Sequence, residues 1–237
     1  MKMKLKNLFL ISVIIFTAFS CRQVDKDEVE KKNLPQGEIK YKITFPDVKA
    51  EGIMASMLPD TMVAVFKGHK FRTDVKSMVK TAFISDESNR SMKTIMVNMG
   101  TKSACDLNEE EVKEFLSEFP SVDIIPTEET KEILGFNCKK SIAVFHDASK
   151  EIELWHTDDL GIDNMNWYNP YKDINGILLR YEIKYYGVNM IFDAVKYEKK
   201  NISDKVFELP KDKSYRKIHN KEMKEKLTEF MSIVNEM

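Results

Sequence analysis

From Glu38 onward the sequence repeats with a period of two. Ile39, Tyr41, Ile43 and Phe45 alternate with Glu38, Lys40, Lys42 and Thr44 until Pro46 ends the run. That is the pattern of a strand with one face in a core and the other in water. Comparable β-rich runs follow at 61–67, 70–76, 81–86 and 92–99, and again at 139–146 and 151–157. Gly68-His69, residues 87–90 and residues 147–150 separate them in pairs, so each pair reads as a hairpin. Short strands with turn signals every ~8–12 residues predict a continuous antiparallel sheet that curls. The fold class is mainly β, with some helix (α+β).

The sharpest hairpin signal lies at Gly187. A two-residue Gly187-Val188 turn with glycine first fits type II′ geometry. It sets Tyr185 opposite Met190, Ile183 opposite Phe192 and Tyr181 opposite Ala194, so one face is wholly apolar and the register is strongly specified. The other face then carries Glu182 across from Asp193, flanked by Arg180 and Lys184, a solvated group of charges rather than an acid–base pair.

Helices interrupt the pattern twice. Asn108 followed by Glu109, Glu110 and Glu111 is a capping-box start with acids in the first turn. Val112, Phe115, Leu116 and Phe119 form its apolar face and Pro120 stops it. Near the C-terminus Met223, Leu227, Phe230, Met231 and Val234 repeat at helical spacing, a stripe suited to core contacts. Residues 54–58 add a short helical turn before Pro59.

The first 20 residues belong to targeting rather than to the fold. Lys2, Lys4 and Lys6 precede an apolar run at 8–19, with small residues at Ala18 and Ser20 before Cys21. A run this short is a secretory signal, since a spanning helix needs ~20 apolar residues. Ala18-Phe19-Ser20-Cys21 resembles a bacterial lipobox, although Ala18 stands where leucine is usual and Phe19 is bulky. The resemblance implies cleavage before Cys21 and a lipid on its sulfur, which makes the membrane a partner. Residues 21–36 are polar and charged, as a flexible tether requires, and 37–237 form one β-rich domain ending in the amphipathic helix. The cluster Asp25, Lys26, Asp27, Glu28 resembles the acidic export signal of Bacteroidota surface lipoproteins. The expected location is the outer membrane of a Gram-negative bacterium, on its periplasmic side or at the cell surface.

Charge excludes one class of partner. The 37 basic and 38 acidic residues nearly balance. Cleavage removes three lysines and leaves 34 against 38, a net of −4. Nucleic-acid binding needs a basic excess or stripe, and neither is present.

Catalytic and metal signatures are missing from the sequence. There is no G-x-S-x-G, P-loop, G-x-G-x-x-G, H-E-x-x-H or C-x-x-C, and the four histidines never fall at ligand spacing. No cofactor is implied. Cys105 and Cys138 either bridge, closing a loop of about 33 residues worth roughly 3–4 kcal/mol, or remain two buried thiols.

The stretch Ile133-Leu134-Gly135-Phe136-Asn137-Cys138-Lys139-Lys140 resembles a motif of uncharacterised Bacteroidota lipoproteins similar in fold to the lipoprotein carrier LolA and its receptor LolB. Trp155-His156-Thr157, Asp159-Leu160, the glycine-led strand from Gly176 and Phe207-Glu208-Leu209-Pro210 extend the match across roughly 36–216. The resemblance implies an unclosed antiparallel β-barrel with helices over an apolar cavity, and a non-catalytic binding or carrier role for an acyl or other hydrophobic ligand. Trp155, Tyr181, Tyr185, Met190 and Phe192 are its candidate groove. The other expectation is a structural or protein-interaction lipoprotein, with an exposed contact loop at Trp167-Tyr168-Asn169-Pro170-Tyr171.

Overall fold

A computed structural model describes residues 34–146 and 151–237. The segment expected to be a signal, Cys21 and most of the expected tether lie outside the described residues. Among the described residues twelve strands form one sheet in the order β12-β6-β5-β4-β3-β2-β1-β11-β10-β9-β8-β7. They are β1 Gln36–Thr44, β2 Thr61–Lys67, β3 Lys70–Lys76, β4 Val79–Asp86, β5 Ser91–Asn98, β6 Thr101–Leu107, β7 Val122–Ile133, β8 Phe136–Phe145, β9 Glu151–Thr157, β10 Ile177–Tyr185, β11 Val188–Glu198 and β12 Tyr215–Lys217. All neighbours pair antiparallel except β12 with β6. The sheet curls but does not close, and β12 and β7 are its two edges.

The helices are α1 Gly52–Met57, α2 Glu109–Leu116 and α3 Asn220–Asn235. The expected capping box starts α2. The Asn108 side chain accepts the Glu111 N–H at 3.1 Å and the Glu111 carboxylate accepts the Asn108 N–H at 2.9 Å. Val112 and Phe115 of α2 and Met223 and Leu227 of α3 pack with Met92, Met96 and Leu107 on the inner face of the sheet. The larger part of the core gathers Ile39, Tyr41, Met62, Phe66, Leu179 and Ile183.

The sheet is also covered on its other face. Ala82, Ile84 and Ile95 project opposite to the main core and are capped by Ile202 and Phe207 from the segment that follows β11. Ile202 N–H donates to the Gln36 side chain at 2.9 Å, and Arg72 donates to the Val206 carbonyl at 2.8 Å. This is why β4 and β5 carry apolar residues on both faces and read less cleanly than β1.

Two sequence readings need correction, and one alternative left open is decided. The β10–β11 turn is Tyr186-Gly187, both at positive φ (48° and 87°), rather than Gly187-Val188. Two successive positive φ values match the twist of the strands in a type I′ hairpin. The pairs are therefore Tyr185 with Val188, Ile183 with Met190 and Tyr181 with Phe192. The shift keeps every side chain on its expected face, but it moves Asp193 opposite Arg180, with which it forms an ion pair at 3.5 Å, and Glu182 opposite Ile191. Cys105 and Cys138, left open as a bridge or two buried thiols, are both free and buried. They sit in separate core clusters on β6 and β8, so the bridge is not made. Second, the segment expected as an exposed contact loop is interior. Trp167 is 7% exposed and Tyr171 fully buried. The Asn166 side chain holds the loop down by donating to the Ile174 and Gly176 carbonyls at 2.9 and 3.1 Å.

Candidate functional site

The site begins where β9 and β10 part. They pair only at Ile177, Leu178 and Arg180, with a register shift before Arg180. Beyond it β10 continues with β11 and β9 with β8, and the two strands share no register. Tyr171 fills part of the gap: its hydroxyl donates to the Glu182 carbonyl and its ring meets Phe145 edge-on at 6.1 Å. What remains is a cleft of about 550 Å³ between the end of α2, Phe145, Ile152 and the β10–β11 hairpin.

Aromatic rings wall this cleft. Phe115, Phe119 and Tyr185 form a trio with centroids 5.3 to 6.3 Å apart, two of the contacts being edge-to-face. The helical spacing of Phe115 and Phe119 and the period-two position of Tyr185 bring them together, so the wall follows from two local patterns. Glu118, Lys184 and Asn189 add polar groups. Behind the cleft is a smaller inner cavity of about 130 Å³ beneath α3. The two spaces share Ile183, Tyr185 and Tyr186. Burial raises the Tyr181 and Tyr185 hydroxyls well above their usual range. Burial and the nearby Glu118 carboxylate push Tyr186 up to about 12. All three stay neutral hydrogen-bond donors under physiological conditions.

Four of the five expected groove residues, Tyr181, Tyr185, Met190 and Phe192, line the inner cavity together. Trp155 does not. It pairs with Lys140 and Arg180 and lies on the opposite face of the sheet, with the Lys131 ammonium 3.8 Å from its ring centroid. Glu182, Lys184, Phe115 of α2 and Phe119 just beyond it were not placed in the groove by the sequence. The aromatic end of α2 followed by Pro120 is the signal that could have found them.

The motif residues that carried the resemblance converge on a structural corner. Leu134-Gly135 makes a hairpin turn with φ of 54° and 85°. Asn137 N–H donates to Asp159 at 2.7 Å, and Thr157 Oγ1 donates to the Asn137 carbonyl at 3.0 Å. Gly176 passes so close that a Cβ there would lie 2.1 Å from the Thr157 carbonyl oxygen. These contacts fix the end of β9 and the start of β10.

No nucleophile–base pair opens onto the cleft among the described residues. Ser141 Oγ lies 3.1 Å from His156 Nε2, but both are buried and neither lines the cleft. Desolvation lowers the His156 pKa. No group of three or more His, Cys, Asp or Glu is placed to hold a metal among the described residues.

Residues 73–166 match the family model described as the N-glycanase peptide, N-terminal domain. The stretch spans β3 to the loop after β9, and so includes α2 and one wall of the cleft but not the β10–β11 hairpin. A solved structure of PNGF-II in space group P21 is similar to this chain with a TM-score of 0.53 at 17% identity, covering 81% of this chain and 33% of that one. A second PNGF-II structure, in space group C2, gives 0.52 and 18%, covering 80% and 32%. At this identity the likeness is one of fold, and the chain spans about a third of the length of these matches. A β-barrel-like protein of unknown function from Brucella abortus is also similar (TM-score 0.30, 9% identity, 71% of this chain and 99% of that one). No curated protein matches the sequence.

Proposed function

We propose that this chain is a lipid-anchored, non-catalytic binding module of a bacterial envelope that takes an amphipathic hydrophobic ligand in the cleft beside the β10–β11 hairpin. The cleft itself carries the reading. At about 550 Å³ it falls in the range of small-molecule sites, with aromatic walls and a few polar groups at its rim. The inner cavity, at about 130 Å³, is too small for a long acyl chain, so the ligand's apolar part lies in the cleft. The phenol hydroxyls, Lys184 and Glu118 would meet its polar end. The anchor rests on Cys21 and its lipobox, and the LolA-like and Bacteroidota reading on the short motifs around Gly135 and Trp155.

The test is titration of the full chain carrying Cys21→Ser with a fluorescent sixteen-carbon fatty acid. Saturable binding that Ile152→Trp abolishes, by filling the cleft, supports the reading. Binding that is absent, or indifferent to Ile152→Trp, refutes it. Incorporation of radiolabelled palmitate, lost in Cys21→Ser, tests the anchor separately.

A second reading is favoured by one observation. The similarity covers only about a third of the PNGF-II chains, through a family described as an N-terminal domain. This supports a module that works beside a glycan-processing partner. Such a module would bring no enzyme chemistry of its own and would use the cleft as a protein or glycan contact.

A further inference from the structure

The sequence contains 14 methionines spread from end to end. Five of them, Met57, Met78, Met96, Met99 and Met237, meet around one pocket of about 310 Å³. They come from the end of α1, the β3–β4 turn, β5, the β5–β6 turn and the second residue after α3. The strand registers place this pocket at the end of the sheet away from Gln36, and it shares no residue with the cleft.

Packing accounts for only part of this. Met96 is 2% exposed and belongs to the core, but Met78 is 54% and Met99 88% exposed. Met99 also sits at a hairpin tip with φ of 45°, a conformation that favours Gly, Asn or Asp. A long apolar side chain there is strained and gains almost no burial. Its thioether is a neutral, polarisable donor on three rotatable bonds. Soft thioether sulfur selects soft cations such as Cu(I), whereas harder divalent ions prefer nitrogen and oxygen. The remaining lining includes the neutral Asn98, Thr101 and Ser103 and two charged groups, the Lys226 ammonium, which pairs with Glu222 at 3.8 Å, and the Glu229 carboxylate, which is left to balance a bound cation.

We propose that this pocket binds a soft monovalent cation, Cu(I) or Ag(I), through thioethers. Met96 supplies a buried sulfur at the pocket wall. Met78 and Met99 reach it from their two hairpin tips. The site is independent of the cleft and of its ligand.

Ag(I) is the probe, because it does not change oxidation state in air. The full chain carrying Cys21→Ser is titrated calorimetrically with Ag(I) at pH 5.5 and 7.5, beside the same chain with Met78→Leu and Met99→Leu. Leucine keeps the volume and the apolar surface, and both positions are exposed, so the metal-free melts should coincide. One equivalent should bind with the same affinity at both pH values, since thioethers do not titrate. The double variant should weaken it beyond the ~10–100-fold that loss of one supporting group costs a metal site. Equal affinity in the double variant would assign the ion to Cys105 or Cys138 and overturn the proposal. Affinity that falls at the lower pH would overturn it too, by indicating a proton-bearing ligand.

Discussion

Replacing Gly176 by alanine should be among the most damaging single-methyl changes in this chain. Gly176 has φ of 78°, and a Cβ there would lie 2.1 Å from the Thr157 carbonyl oxygen and 2.8 Å from its carbon. Two effects add. A non-glycine residue in the left-handed region costs roughly 1–2 kcal/mol. The contact is with backbone, which cannot swing aside, so the Ile177–Thr157 pairing at the start of β10 must shift. Strain of this kind costs a further ~1–3 kcal/mol, while the stiffer unfolded chain returns about 0.4–1 kcal/mol. The net is about 1–5 kcal/mol. For a domain of this size each kcal/mol moves Tm by ~2–4 °C, which puts the loss at ~2–20 °C. Gly161→Ala is the control, because it shares the positive φ (62°) but has nothing within 4 Å of its Cβ. It should lose only ~0–1.5 kcal/mol. Urea titration of both variants gives the comparison. Equal midpoints would show that the Thr157 contact carries no energy, and the account of this corner would be wrong.

Other consequences are smaller. Removing the α2 cap with Asn108→Ala should cost about 1 kcal/mol, read as a lower urea midpoint with unchanged slope; no change would discount the capping box. Desolvation lowers the His156 pKa, so the folded state favours the neutral ring. The stability this supplies is complete above the unfolded value of ~6.5 and is lost as pH falls through the folded pKa. Between pH 7 and 5 the native midpoint should drop more than that of His156→Gln, and parallel curves would contradict the argument. Burial pushes the Cys105 thiol up to about 11 and raises that of Cys138. In Cys21→Ser, two thiols should therefore react with a disulfide reagent only after denaturant is added. Reductant should leave Tm unchanged, whereas a reductant-sensitive Tm would mean a bridge.

Much of this architecture was written in local patterns. β2 and β3 lie where alternation places them, because each alternates between a buried core face and a more exposed one. β7 was invisible for the opposite reason. It is an edge strand, largely exposed and charged at Glu128, Glu129, Lys131 and Glu132, with Pro126 at a register irregularity. An edge strand needs no apolar alternation and tolerates proline. β6 was hidden because Ser103, Ala104 and Cys105 are buried in succession. The aromatic segment at 167–171 was taken for surface because loops usually are. Ile162, Met165 and Ile174 around it were a signal that this loop is too apolar for water. Of the candidate site, the apolar face of β10 and β11 was legible from period two alone. The cleft was not, because it depends on where β9 and β10 stop pairing, which no local pattern records. Trp155 failed for a related reason: residues 154–157 are buried in succession, so burial there does not identify the face.

The central claim is that a ligand occupies the cleft lined by Phe119, Ile152 and Tyr185. Native mass spectrometry of the chain purified from bacterial envelopes tests it most directly. The account predicts a bound species of discrete mass that is released as a hydrophobic small molecule on denaturation and is absent from Ile152→Trp. The bare polypeptide mass in both proteins, or the same adduct in both, would contradict it.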